Sequence, residues 1–314
     1  MSSDARLSIL HDVPPAKGSY VLYWMQASQR TRGNHALQYA ISQANELGLP
    51  VVVGFGLMDD YPEANARHYA FMLEGLRDAG AALRDLGIAL VVRRGNPADV
   101  ALDLARSAAL LVCDRGYLRH QRQWRSDVAG RAACRVVQVE SDVVVPVKVA
   151  SEKRESAART IRPKIHRELH RYLVPLPSTR PLRPSLNLRF RGGVDIARPD
   201  KVLAGLRVDG SVPPSPHFAG GEVEAWRRLH SFLERRLKDY SARRNEPADS
   251  HTSRLSAYLH FGQISPVDVA LAVRAAKAPK SDRDAYLEEL IVRRELAVNF
   301  VYYEPDYDRY TALP

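Results

Sequence analysis

Cysteine is scarce in this chain: Cys113 and Cys134 are the only two among 314 residues. Two thiols cannot build a disulfide framework or a four-thiolate zinc site, and their rarity fits a reducing compartment. Long apolar runs are missing too. The N-terminal stretch Met1 to Gly18 carries Asp4, Arg6, His11, Asp12 and Lys17, and nothing later reaches the roughly 18 apolar residues of a membrane span. A soluble, cytoplasmic protein without a membrane partner is expected. Neither a Walker-type phosphate loop nor a Gly-x-Ser-x-Gly elbow occurs, which removes the commonest NTPase and hydrolase classes. There is no internal repeat and no low-complexity tract.

What is present suffices for a core: 45% of residues are hydrophobic and 26% charged, the balance of a globular protein. The length predicts two domains. With 46 Lys and Arg against 36 Asp and Glu, the net charge is +10, which favours an anionic partner. That charge is local. Residues 151–191 hold 11 basic and 3 acidic side chains, so this block alone carries +8. It is either a solvated helix face running into a linker or a polyanion site.

The first half alternates apolar runs with amphipathic stretches, the pattern of βα units around a parallel sheet. Strands are predicted at Tyr20 to Met25, Pro50 to Leu57, Ile88 to Val92, Ala109 to Cys113 and Val136 to Val139, the last with a continuation through Val143 to Val147. Helices are predicted at Asn34 to Leu47, Glu63 to Leu86, Pro97 to Ser107 and Tyr117 to Arg131. This is a doubly wound, Rossmann-like α/β domain. Its ligands belong beyond the strands' carboxyl ends, at Gln26 to Arg32, Met58 to Asn65 and Asp114 to Tyr117. Eight of the 20 prolines then fall between Pro175 and Pro216, the composition of a connector. From Glu222 the periodicity is helical: Trp226, Leu229, Phe232, Leu233, Leu237 and Tyr240 share a face. A further helix starts at Ser265–Pro266, with Asp268 completing a cap, and another runs from Asp284 to Tyr303.

Three motifs invite a functional reading and fail it. Gly54 and Gly56 lack the third glycine of a dinucleotide fingerprint. His166 and His170 have helical spacing, but Glu168 between them points away from both imidazoles, so no metal site is expected. Trp24 reads as a core residue. The segment Thr252-Ser253-Arg254-Leu255-Ser256 is more informative: three hydroxyls and a guanidinium ahead of a short helix can converge on a diphosphate, or merely cap a turn.

Tyr240, Arg244, Thr252 to Leu259 and Glu288-Glu289-Leu290-Ile291 resemble the flavin-binding helical domain of the photolyase/cryptochrome superfamily. Val21 to Gln26, Val139 to Pro146, Arg159 to Ile165 and Arg293 to Phe300 resemble the class II cyclobutane pyrimidine dimer photolyases. The resemblance implies light-driven repair of UV-damaged DNA by a monomer, with no protein partner. Reduced FAD, excited by blue light, passes an electron to a flipped-out dimer, whose ring opens. It places Tyr240, Thr252, Ser253, Arg254, Leu255 and Ser256 on FAD and makes Glu289 the catalytic residue. Arg244, Glu289, Val292, Arg293, Arg159, Arg162 and Lys164 are placed on DNA. An alternative role for Glu289 is an i,i+4 pair with Arg293. A deazaflavin or folate antenna in the sheet domain is allowed and not identified. The implied domains are 19–147 (α/β), 148–221 (basic, proline-rich connector) and 222–314 (helical, FAD-binding). Family members continue for a further helical segment that closes the flavin cavity, so the helical domain is read as lacking its C-terminal part. A cryptochrome-like photoreceptor and an inactive remnant are the competing readings.

Overall fold

The computed structural model of the protein describes residues 4–312. A six-stranded sheet is built from β1 (Leu7–His11), β2 (Tyr20–Trp24), β3 (Val51–Leu57), β4 (Ala89–Arg94), β5 (Ala108–Asp114) and β6 (Arg135–Val139), in the order β1-β6-β5-β2-β3-β4. The neighbours from β6 to β4 are parallel, and β1 is antiparallel to β6. The near-continuous apolar runs of β2, β3 and β5 are what strands covered on both faces require. On one face α1 (His35–Leu47) and the end of α2 (Ala66–Asp85) pack Leu37, Ile41 and Leu83 against Val21, Tyr23 and Val53. On the other, α3 (Pro97–Ala105) and α4 (Arg119–Arg131) pack Leu104 and Val128 against Leu22, Trp24 and Val52. Asn34 and Asn96 cap their helices, accepting from the N–H of Leu37 and Ala98, each at 2.9 Å, the role that favours Asn at this position. Gly54 and Gly56 serve packing: a Cβ there would lie 2.6 Å from Leu104 Cδ1 and 2.5 Å from Pro97 Cα, so glycine lets α3 lie close on β3.

The sequence reading changes at three places. Strand β1 was not foreseen, because its half-buried edge position needs no apolar pattern. Val143 to Val147 do not extend β6. Arg6 donates to the carbonyls of Glu140, Val143 and Val144 at 3.0, 3.0 and 2.6 Å, and Glu295 accepts from the Val144 N–H at 2.5 Å. These bonds hold the segment as a turn, followed by α5 (Val147–Ala150). Third, residues 148–221 are not one connector. Helix α6 (Ala158–Tyr172) buries Ala158, Ile161, Ile165 and Tyr172 in a second core with Leu229, Phe232 and Ile291. Its basic residues had masked that stripe.

The proline-rich remainder lies on the sheet half. Asn45 bonds the backbone of Arg180 and Leu182, the Ser185 hydroxyl accepts from the Ala89 N–H at 2.8 Å, and the Val194 N–H donates to the Val92 carbonyl at 2.7 Å, covering edge strand β4. It includes the short α7 (Pro199–Ala204). Proline prevented long elements without preventing packing.

The rest comprises α8 (Glu222–Arg235), α9 (Tyr240–Arg243), α10 (Ser256–His260), α11 (Pro266–Ala275), α12 (Lys280–Leu287), a π-helical turn Glu288–Arg293 and α13 (Arg294–Tyr303). The single helix expected from Asp284 thus starts at Lys280 and is interrupted by the π-turn. The loop after β2 joins the halves. Arg30, fully buried, pairs with Asp142 at 2.7 Å and donates to the Gly262 carbonyl at 2.9 Å. Glu222 accepts from the N–H groups of Thr31 and Arg32 at 2.9 and 3.0 Å. Gly262 adopts φ 64°, and a Cβ there would meet the Ala27 carbonyl oxygen at 1.9 Å.

Candidate active site and chromophore crevice

Asp282 organises the start of α9. It accepts from the N–H of Asp239 and Ser241 at 3.0 and 2.8 Å and from the Ser241 hydroxyl at 2.6 Å. Burial opposes its ionisation, but these bonds hold its carboxyl below the ordinary range. Tyr240 is thereby seated with its ring 5.7 Å from that of Phe232 and 5.3 Å from that of Tyr286. The Tyr286 hydroxyl donates to Ser253 Oγ at 3.0 Å, and burial pushes its ionisation up.

The segment Thr252 to Ser256 crosses this aromatic group. Leu255, 1% exposed, pins it to the core, while Thr252, Arg254 and Ser256 face solvent. Arg254 adopts φ 54°, the left-handed region that a non-glycine residue enters at a cost, and its guanidinium donates to Ser250 Oγ at 2.9 Å. Exposed hydroxyls beside a guanidinium, on a backbone held from below, form a donor set suited to a diphosphate. These residues fit an FAD phosphate chain.

Glu289 lies on the π-turn, three residues after Tyr286. It pairs with Arg244 at 2.5 Å, and Arg244 lies 6.0 Å from the Tyr240 ring centroid. The hydrogen bond to Glu289 raises the Arg244 pKa. The suggested i,i+4 pair with Arg293 does not form. A π-turn brings the residue five positions on over the first, so Arg293 lies 3.7 Å from Glu288. Glu288 also takes Arg162 of α6, at 2.7 Å.

The residues assigned to DNA therefore separate. Arg244, Glu289 and Arg162 cluster at the π-turn. Lys164 is committed to Glu155 at 2.5 Å; burial opposes ionisation of that carboxyl, yet the Lys164 and Ser151 hydrogen bonds lower it to about 2. Arg159 is exposed and, among the described residues, makes no ion pair. Val292 is 1% exposed and belongs to the second core, so it offers no surface to DNA. His166 and His170 are exposed on α6, and Glu168 between them pairs with Arg171 at 2.8 Å.

A cavity of about 330 Å³ lies beyond the carboxyl ends of β2 and β3, next to the β2–β5 neighbours at which the strand order reverses. Gln26, Gln29, Met58, Tyr61, Trp124 and Phe261 are among its walls. Two of the three expected loops line it; α4 contributes Gln121 and Trp124 in place of Asp114 to Tyr117. Asp114 instead accepts from the N–H groups of Gln26, Ala27 and Ser28 at 2.9–3.0 Å and shapes the loop from below. Trp24 is core, 1% exposed, whereas the neighbouring Gln26 does reach the cavity. Gln29 Oε1 is buried without a hydrogen-bond partner.

The family model for DNA photolyase matches residues 21–182, over half the chain. The chain belongs to the DNA photolyase family. Its sequence is 46% identical over 301 residues to the deoxyribodipyrimidine photo-lyase of Methanothermobacter thermautotrophicus, covering 96% of this chain and 65% of that relative. It is 36% identical to the deoxyribodipyrimidine photo-lyase of Arabidopsis thaliana, covering 92% and 60%. The fold resembles a class III photolyase of Agrobacterium tumefaciens, with TM-score 0.72 and 20% identity over 93% of this chain and 60% of that one. It also resembles the Sulfolobus tokodaii photolyase solved with two FAD molecules, with TM-score 0.71 and 17% identity over 91% and 60%. This photolyase-family chain thus spans about 60–65% of the length of those relatives.

Asp282 and Tyr286, which shape the cradle, were missed from sequence. Each sits at an ordinary helix position, with no local signal beyond residue type. Arg30 and Asp142 are likewise 112 residues apart and meet only through the fold.

Proposed function

We propose that this chain comprises the sheet domain and the first part of the flavin-binding domain of a cyclobutane pyrimidine dimer photolyase of class II. The observation that carries this reading is the Arg244–Glu289 pair at 2.5 Å beside Tyr240 and the exposed Thr252 to Ser256 segment. These groups come from three separate stretches of sequence and meet on one surface. Bound reduced FAD supplies the light-driven electron. The chain's own residues hold and orient. Thr252, Arg254 and Ser256 bind the diphosphate, and Tyr240 with Tyr286 forms a wall under it. Glu289 hydrogen-bonds a base of the flipped dimer. Arg244 fixes the carboxylate before DNA arrives and can then turn to a phosphate.

The partner is UV-damaged DNA, and Arg159, Arg162 and Arg293 supply further phosphate contacts. The crevice with the unpartnered Gln29 acceptor holds a second, light-harvesting chromophore. A cytoplasmic monomer is the setting we assign; no helix among the described residues is long and apolar enough to cross a membrane. The domain limits we assign are residues 4–141 with the strap 174–218, and residues 142–173 with 219–312, because the buried clusters fall within these sets apart from Phe71 and Phe218, which join the helical one.

The test is to purify the chain, record its visible absorption with FAD, and assay light-dependent reversal of dimers in an oligonucleotide. We expect Glu289→Ala to lower the repair yield with flavin absorption unchanged. Stoichiometric flavin without repair would favour a photoreceptor, and absence of flavin binding would sink the cradle assignment.

A further inference from the structure

A second concavity, about 710 Å³, lies on the opposite side of α4 from the chromophore crevice. Its floor is the outer edge of the sheet, Leu10 of β1 and Gln138 of β6. One wall is α4, which presents Arg119, Arg122, Ser126 and Ala129 at spacings of three and four, a single helical stripe. The facing wall is the end of α13 and the chain after it, with Tyr302 and Tyr307. Small residues on α4 leave the hollow, and a glutamine replaces the apolar side chain expected on a covered sheet face.

Four arginines line it, Arg115, Arg119, Arg122 and Arg125, against one acidic residue, Glu304. Glu304 is already paired with Arg154 at 2.5 Å, and Arg119 with Asp308 at 2.8 Å. Of the two deepest arginines, only Arg115 has a carboxylate within 4 Å. Arg125, 2% exposed, donates to the carbonyls of Asp114 and Gln121. Arg115, 6% exposed, pairs with Glu140 at 3.7 Å and donates from Nη2 to Ser8 Oγ at 2.6 Å, while its Nε has no hydrogen-bond partner. Buried guanidinium groups are costly unless an anion compensates them. The α4 N-terminus adds positive potential, with no acidic residue in its first turn. Arg115 and Arg122 lie 5.7 and 5.4 Å from the Tyr302 ring centroid.

We infer that this cleft binds a small phosphorylated anion, of the size of a nucleoside di- or triphosphate, on Arg115, Arg122 and Arg125. Volume supports a small molecule, since ligand sites commonly enclose ~300–1,000 Å³. Depth supports it as well, because a DNA backbone passing over the surface does not reach guanidinium groups that are 6% and 2% exposed. The site is independent of the flavin cradle.

The test is calorimetric titration of the chain with pyrophosphate and with ATP at low and at physiological salt. We expect saturable one-to-one binding, weakened roughly tenfold or more by Arg122→Glu. Arg122 is exposed, so its replacement leaves folding intact, which circular dichroism checks. Arg183→Glu, an exposed charge reversal outside the cleft, should leave the affinity within about twofold. Absence of saturable binding overturns the inference. So does equal affinity in Arg122→Glu, which would place the phosphate elsewhere, for example on the flavin cradle. Displacement of pyrophosphate by undamaged duplex DNA, with the same dependence on Arg122, would replace the small molecule by a nucleic acid.

Discussion

The loop after β2 and the segment 252–256 both carry hydroxyl and guanidinium groups, and they use them in opposite ways. In the loop, Arg30 and Asn34 are buried; Arg30 bonds Asp142 and Asn34 the loop's own carbonyls, while buried Asp114 and Glu222 bind the loop's N–H groups from β5 and α8. In the segment, a single leucine is buried while Thr252, Arg254 and Ser256 point outward. The first arrangement fastens two cores together. The second leaves its hydroxyls and the Arg254 side chain facing solvent. Chemistry of side chains alone does not separate a structural network from a binding site; what separates them is whether the fold has already supplied the partners.

The largest effect expected to expose this difference is at Arg30. Arg30→Met should destabilise the protein by about 3–5 kcal/mol, because it strands Asp142 and the Ser141 and Gly262 carbonyls in a buried setting. Urea unfolding measures this, and a loss below about 1 kcal/mol would mean that the network is not a fastening. Glu295 should give a pH signature. Burial pushes its carboxyl up to about 8 from 4.5, against the opposing Val144 and Val145 N–H bonds and the charges of Arg294 and Arg6. The folded state therefore binds a proton that the unfolded state has released. The corresponding stability is full below the unfolded value and is lost as pH rises through the folded one. Between about pH 5 and 8 the wild type should lose stability more steeply than Glu295→Gln; parallel profiles would refute the assignment.

Smaller effects are expected where donors face outward. Thr252→Ala and Ser256→Ala should change unfolding stability by no more than about 0.5 kcal/mol while weakening FAD retention on dialysis. A large stability loss with unchanged FAD binding would reverse the comparison. The smallest effect concerns α6. Arg159→Ala should reduce the salt slope of binding to dimer-containing DNA by about 0.9, the value for one phosphate contact. Lys164→Ala should leave that slope unchanged, since Lys164 is held by Glu155.

How much was legible follows from the range of each signal. Buried parallel strands such as Val51 to Leu57 announce themselves because every side chain is covered. The cap at Ser265 is local and was read in place. The residues proposed for the cradle, Tyr240, Glu289 and the hydroxyl segment, were reached through resemblance to a known family and not through a local pattern. The π-turn was not visible, since Glu288 to Arg293 has an ordinary helical composition and only packing decides where one extra residue is accommodated. Strand β1 and the stripe of α6 were hidden by edge exposure and by charge.

Composition, periodicity and cap residues determined the elements of this protein: a parallel α/β sheet, a proline-rich strap and a run of helices. They did so because backbone hydrogen bonding and the burial of apolar faces are short-range demands. Which polar groups became structure and which stayed available was decided by the tertiary structure alone. Arg30 meets Asp142, Glu289 meets Arg244 and Lys164 meets Glu155 across 112, 45 and 9 positions of sequence. An ion pair forms only where the fold brings two charges within reach, and a binding site is left where it brings one without the other.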